Sequence, residues 1–316
     1  MTLPSVTLSA SSLLRARLCS ASAALPQVQR ATRGTSLGHA VHGYLEALNR
    51  GTPRAEALAA LPEEARALCV GIEPAEVPVG LPEQAYAYDV RTGAARLLAG
   101  TSARDYRSLG PQEIAGTADL VCPAAPGEPW TVVDWSTDHD LDVTAKVAQV
   151  DVYILAVARA HGLSSVHGAI ACVRLAGPLA WHRWTRDALD LAELATGVRE
   201  TWDRVQRARA ARAEHEREHV APWSPGVTTG AHCRDCRAFL ACPATAGAVR
   251  GAGEPGEDQP LGAAYERART VERWADAVRD RARLAVESEG ALPLPDGRRL
   301  IQTTDSRGRK SLRAVR

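Results

Sequence analysis

Four cysteines and a set of acids are the side chains of this chain best equipped for chemistry. Cys233, Cys236 and Cys242 form a Cys-x2-Cys-x5-Cys run, close enough in sequence for three thiolates to wrap one face of a compact metal centre. Cys19 stands more than two hundred residues earlier, and as a fourth thiolate it would tie the start of the fold to its later part. An iron–sulfur cluster suits this set. Zinc at the same thiolates is chemically open, although the paired Cys/His arrangement of a zinc finger is missing. Cys69, Cys122 and Cys172 are scattered among apolar residues and read as ordinary buried thiols.

The second group is acidic. Asp119 lies in Gly116-Thr117-Ala118-Asp119-Leu120-Val121, and Asp134 ends the apolar run Val132-Val133-Asp134-Trp135. Carboxylates on neighbouring strands, with His42 from a preceding helix, make a nest of hard ligands for magnesium or manganese. Such an ion activates water and neutralises charge developing on a phosphodiester oxygen. Taken singly, Asp134 reads better as a strand-end cap and Asp119 as a loop acid; the case for a site rests on their order and spacing along the chain.

Elements able to position these groups follow from pattern. Ser9, Ser11 and Ser12 precede Leu13 and Leu14, the mark of a capped helix that delivers Cys19. Leu37, Val41, Leu45 and Leu48 recur at helical spacing and bring His42 and Gly38 near a buried face. Residues 84–90 and 94–99 flank Arg91-Thr92-Gly93, a hairpin signal, with Glu83 at the start of the first strand. Residues 114–122 and 130–135 form the next strand pair. A helix over 144–161 then carries Lys146, Gln149 and Tyr153 on one face, since offsets of three and seven superpose on a helix. A strand over 169–175 completes an αβββαβ order. Residues 186–220 read as a long charged helix, 251–259 as a linker and 261–289 as a further helix.

The series Gly38-x3-His42, Glu83, Gly116-Thr117-Ala118-Asp119, Val133-Asp134-Trp135-Ser136-Thr137, Gln149-x3-Tyr153 and the cysteine triplet resembles the RecB-type family of PD-(D/E)XK nucleases. It is most similar to the iron–sulfur branch, which includes CRISPR-associated RecB-like and phage-encoded relatives. The resemblance implies metal ligation by His42, Asp119, Asp134 and the Trp135 carbonyl. Glu83 would be the acid on the first core strand, shaping the site. Gln149 and Tyr153 would touch the DNA backbone, and a 4Fe–4S cluster would join Cys19 to Cys233, Cys236 and Cys242. One position departs from the pattern: the lysine of Asp-x-Lys is Ser136 here. Serine offers a hydrogen bond without charge, and loss of pre-placed charge costs on the order of 10² to 10³ in rate. Either Lys146 does that lysine's work from the helix, or the site binds metal and DNA and cuts poorly.

Bulk composition sets limits. With 316 residues, 45% hydrophobic, the chain can bury a sizeable core, and a net charge of +1 excludes a globally basic nucleic-acid coat. Seven cysteines, with no signal-peptide pattern, fit metal ligation in a cytoplasmic setting better than a disulfide framework. The basic tail, with Arg298, Arg299, Arg307, Arg309, Lys310, Arg313 and Arg316 against Asp296 and Asp305, could grip phosphates through counterion release or stand as a solvated terminus. Trp181, Trp184 and Trp223 could stack on single-stranded bases or belong to the core.

The expected architecture is thus α/β, a restriction-endonuclease-like core with a central mixed sheet flanked by helices, plus a helical iron–sulfur part. Residues 1–250 would hold the nuclease domain with its staple, and 251–316 a linker, helix and basic tail. The expected function is metal-dependent, exonuclease-type DNA hydrolysis in repair, recombination or defence, on DNA that is single-stranded or has free ends, with any helicase or recombination partner unknown. The alternative is a degenerate nuclease-fold subunit that binds DNA or organises partners.

Overall fold

The structure is a computed structural model that describes residues 8–27, 33–98, 106, 108–137, 143–175, 177–218, 227–233, 236–250, 261–304 and 310–315. The chain divides into two compact units, one of residues 1–20 with 31–208 and one of 21–30 with 209–316.

In the first unit, α1 (Ala10–Leu18) is entered through Ser9 and Ser12, whose hydroxyls and backbone groups satisfy one another in a capping box. Helix α3 (Arg33–Asn49) carries His42. Two short helices follow, α4 (Arg54–Ala59) behind Pro53 and α5 (Glu63–Cys69) behind Pro62, both with acids in the first turn, where the helix dipole favours them. The strands are β1 (Leu81–Asp89), β2 (Ala95–Leu97), β3 (Glu113–Cys122), β4 (Trp130–Ser136), β5 (Val166–Cys172) and β6 (Ala180–Arg186), with α6 (Val143–His161) between β4 and β5 and α7 (Ala188–Glu218) after β6.

They form one six-stranded sheet in the order β2-β1-β3-β4-β5-β6. Only β4 and β5 run parallel, joined through α6, and the other neighbours are antiparallel, so the sheet is mixed. One face buries Leu120, Val133, Trp135, Ala169 and Ala171 against Val41 and Leu45 of α3 and residues of α4 and α5. Gly168 alternates with Ala169 and so points to the opposite face, where an added Cβ would come within 2.8 Å of Ile154 on α6. Helices on both faces thus cover the central strands, the α/β layering expected from the sequence.

Strand β6 was not expected. Residues 180–186 pair with β5 along their whole length, from Val166↔Arg186 to Cys172↔Ala180.

In the second unit, α2 (Ala21–Ala24) is tied to the end of α7, where Arg209 Nε and Arg212 Nη1 donate to the carbonyls of Ala23 and Ala24 at 3.2 and 2.6 Å. Short 3-10 turns at Ala231–Cys233 and Phe239–Ala241 precede α8 (Pro243–Arg250) and α9 (Leu261–Glu289). The basic tail is an antiparallel meander of β7 (Leu292–Pro293), β8 (Arg299–Thr304) and β9 (Lys310–Val315). Among the described residues no helix is long and apolar enough to cross a membrane.

Candidate functional site

The acids sit where the sheet ladders break. Strand β3 pairs with β1 in one register, but the Glu83–Asp119 position is skipped between Pro82↔Leu120 and Gln84↔Ala118. Glu83 has φ +50° on an otherwise extended strand, a conformation a glutamate holds only when its surroundings over-determine it. On the other side of β3, pairing with β4 ends at Leu120↔Val133, one step short of Asp119 and Asp134. The gap is bridged by a side chain, because the Trp135 N–H donates to Asp119 Oδ2 at 2.8 Å. The Trp135 N–H, left without a ladder partner by the splay, is thus answered by the buried Asp119 carboxylate.

Three ligand-type atoms converge there. One each from His42, Glu83 and Asp119 lie within 4.8 Å of one another. His42 Nδ1 stands 3.3 Å from Asp119 Oδ1, yet without the alignment of a hydrogen bond. A buried imidazole nitrogen facing two carboxylates in this way fits a divalent cation with mixed N and O ligands. Glu83, expected only to shape the site, therefore offers a ligand atom of its own.

Asp134 is turned to α6. Lys146 Nζ lies 2.6 Å from Asp134 Oδ2, and the Gln149 amide donates to Tyr153 Oη at 2.7 Å and approaches Asp134 Oδ1 at 3.4 Å. The helical spacing that put Lys146, Gln149 and Tyr153 on one face has brought them to this carboxylate. Tyr153 reaches so far in because β3 carries glycine beneath it; a Cβ on Gly116 would lie 2.3 Å from Tyr153 Cε1. Ser136, at the position where the family pattern has lysine, is buried.

Electrostatics separate the acids. Burial works to raise Asp119, but the charge and contact of His42, the Trp135 N–H and the Lys146 charge hold it below its ordinary value. Asp134 is raised to about 6 by burial and then by the like charge of Asp119, with Lys146 opposing. Burial works to lower His42, and Asp119 outweighs it, leaving the imidazole above its usual value. Tyr153 is pushed well up, first by burial and then by Asp134 and Asp119, so it stays a neutral phenol. Sequence reasoning missed one further member: Tyr106 Oη shares a 2.8 Å hydrogen bond with Thr117 Oγ1, two residues from Asp119, and no spacing signal links them.

The remaining site residues fall elsewhere. Cys233, Cys236, Phe239 and Cys242 are linked by successive three-residue turns, Cys236 N to Cys233 O, Phe239 N to Cys236 O and Cys242 N to Phe239 O, at 3.2 to 3.3 Å. All seven cysteines are free thiols, and among the described residues they form no group of three with sulfurs as close as the atoms of the acidic site. Burial pushes the Cys69 thiol up to about 12 and that of Cys122 up to about 11, so both are inert. Lys310 is exposed at the start of β9, whereas Arg309 and Trp223 lie outside the described residues.

Acids at a ladder break in a mixed sheet, faced by a helix-borne lysine and a histidine, give this α/β protein a carboxylate cluster of the kind that can hold a divalent metal. The family model of the PD-(D/E)XK nuclease superfamily matches residues 7–243, which is most of the chain, and the chain belongs to that superfamily. Members of this superfamily are generally metal-dependent enzymes that hydrolyse phosphodiesters. A search of curated proteins finds no match to the chain.

Proposed function

We propose that the protein is an active metal-dependent deoxyribonuclease of RecB type in which Lys146 replaces the lysine missing at position 136. The observation that carries this is the 2.6 Å contact of Lys146 Nζ with Asp134 Oδ2, which restores from α6 the ammonium–carboxylate pair that Ser136 denies to β4. His42, Glu83 and Asp119 would hold a magnesium or manganese ion, with Asp134 and the Trp135 carbonyl beside them. When bound, the ion supplies Lewis-acid polarisation of the phosphate and a lowered pKa for its water.

The chain's own groups do the rest. Asp134 keeps the Lys146 ammonium at the site, where it orients an attacking water and faces charge as it develops. Gln149 fixes the Tyr153 phenol, whose neutral O–H can donate to a phosphate oxygen. The exonucleolytic mode, a single-stranded or free-ended substrate, and a role in repair, recombination or defence belong to the same proposal and rest on the resemblance to RecB-type enzymes.

An iron–sulfur cluster on Cys233, Cys236 and Cys242, with Cys19 as fourth thiolate, is part of it too. Its supports are the sequence spacing and the run of turns from Cys233 to Cys242.

The test is cleavage of end-labelled DNA by anaerobically purified protein with manganese or magnesium, comparing unsubstituted chain with Asp119→Asn. Metal-dependent cleavage lost in the variant supports the proposal. Cleavage equal in both would show that another site or a contaminant cuts.

A further inference from the structure

Strand β6 is one of the two outer strands of the sheet among the described residues, and its composition goes beyond guarding an edge. Charge alone is enough to discourage edge-to-edge pairing, yet Ala180–Arg186 reads Ala-Trp-His-Arg-Trp-Thr-Arg, aromatic and basic with no acid. Its two indoles have different fates. Trp184 is committed to the fold: its N–H donates to Asp151 Oδ1 at 3.0 Å, and its ring lies so close over Gly168 that a Cβ there would meet it at 2.4 Å. Trp181 is half-buried. Its inner edge meets the buried Trp135 ring at 6.1 Å between centroids and 67° between planes, and the Arg183 guanidinium lies 4.5 Å over its ring.

Arg183 is exposed, and among the described residues it has no carboxylate partner; Arg186, by contrast, is fixed to Asp151 by two bonds at 2.8 and 2.9 Å. The register relates this pair to the acids. Asp134, Ile170 and His182 form one row across β4, β5 and β6, and Trp135, Ala171 and Trp181 form the next. Trp181 therefore stands two strand spacings, about 10 Å, from the backbone of Trp135, whose N–H holds Asp119.

We infer that Trp181 and Arg183 form a stacking platform for an unpaired base of a single-stranded DNA segment whose neighbouring phosphate enters the acidic site. The inference rests on the nuclease reading and deepens it by naming what holds the base. A guanidinium placed over an indole can offer its outer plane to a base and keep its N–H fork for a phosphate. Stacking of this kind is tolerant of sequence, because every base has a π face. Paired bases present no free face, so the platform favours single strands.

The test is anisotropy of labelled single-stranded, abasic and hairpin-duplex oligonucleotides against unsubstituted protein, Arg183→Ala and Arg183→Lys, with calcium in place of magnesium. Arg183→Ala is expected to weaken single-strand binding about tenfold, to leave duplex affinity within about twofold, and to leave the thermal midpoint unchanged. The lysine variant keeps charge without a plane and should fall near the alanine variant, and abasic DNA should remove the difference between wild type and Arg183→Ala. Equal losses on single strand and duplex, full rescue by lysine, unchanged single-strand affinity, or no single-strand binding by wild type would each overturn the platform. Cleavage with manganese, followed in parallel, separates the two ideas: an Arg183 effect in a protein that does not cut keeps the platform and removes the nuclease, and cutting indifferent to Arg183 does the reverse.

Discussion

At the scale of single residues, the site is an arrangement of protons as much as of ligands. His42 and Asp134 both hold protons more tightly than free side chains do, Asp134 up to about 6, whereas a divalent ion needs both deprotonated. The sign follows: Asp134 loses its competing proton as pH rises through about 6 and His42 loses its own only above its ordinary value, so manganese affinity is expected to rise from pH 5.5 through 7.5. Calorimetry in two buffers of different ionisation enthalpy checks this, with proton release on binding near pH 6 as the signature. Affinity independent of pH over that range would place the ion elsewhere.

The Ser136 position invites a second experiment. Ser136→Lys alone should not raise the rate, because two ammoniums would compete for Asp134 in a buried site. In the background of Lys146→Ala, the same change is expected to recover at least about tenfold of the lost rate, out of the 10² to 10³ that such a charge is worth. No recovery in the double variant would mean that Lys146 acts through something other than its charge on Asp134.

At the scale of elements, β3 and α6 are matched by one small residue. Gly116→Val would set a side chain on Tyr153 and Ala10, and overpacking of this sort costs about 1–3 kcal/mol. Thermal unfolding should fall accordingly, with loss of activity beyond the loss of folded protein, since the Tyr153–Gln149–Asp134 chain would be displaced. An unchanged midpoint would show that α6 can move without cost.

The same pair of elements shows what the sequence could carry. Lys146, Gln149 and Tyr153 were legible because a helix converts spacing directly into direction, and Asp119 and Asp134 because apolar runs mark the strands that hold them. Strand β6 was hidden. Its residues alternate poorly between exposed and covered, as befits an edge strand with aromatics on both sides, so no period of two stands out. Helices α4 and α5 had readable signals, prolines ahead of acid-bearing first turns, which went unused because both are short. The placement of Glu83 beside His42 and Asp119 was out of reach, since its backbone takes a positive φ that no residue pattern encodes. The tail read as a basic terminus because its arginines mask the β-pairing of Leu300, Ile301 and Leu312.

At the scale of the molecule, one chain joins a nuclease core to a second unit that holds three cysteines and a basic meander. If these thiolates carry iron, anaerobic protein should contain iron and acid-labile sulfide, and Cys233→Ser should lose both while lowering the thermal midpoint, because cluster binding is folding free energy. Zinc in place of iron would correct the cofactor and leave the acidic site untouched. The central claim, that a lysine moved from strand to helix keeps the core catalytic, is tested most directly by single-turnover cleavage of end-labelled single-stranded DNA in manganese, with wild type and Lys146→Ala at equal metal occupancy. The expected result is cleavage by wild type that falls by about 10² to 10³ in the variant while manganese and DNA affinities stay within a few-fold. Equal cleavage by both, or none by a wild type that still binds metal and DNA, would contradict it.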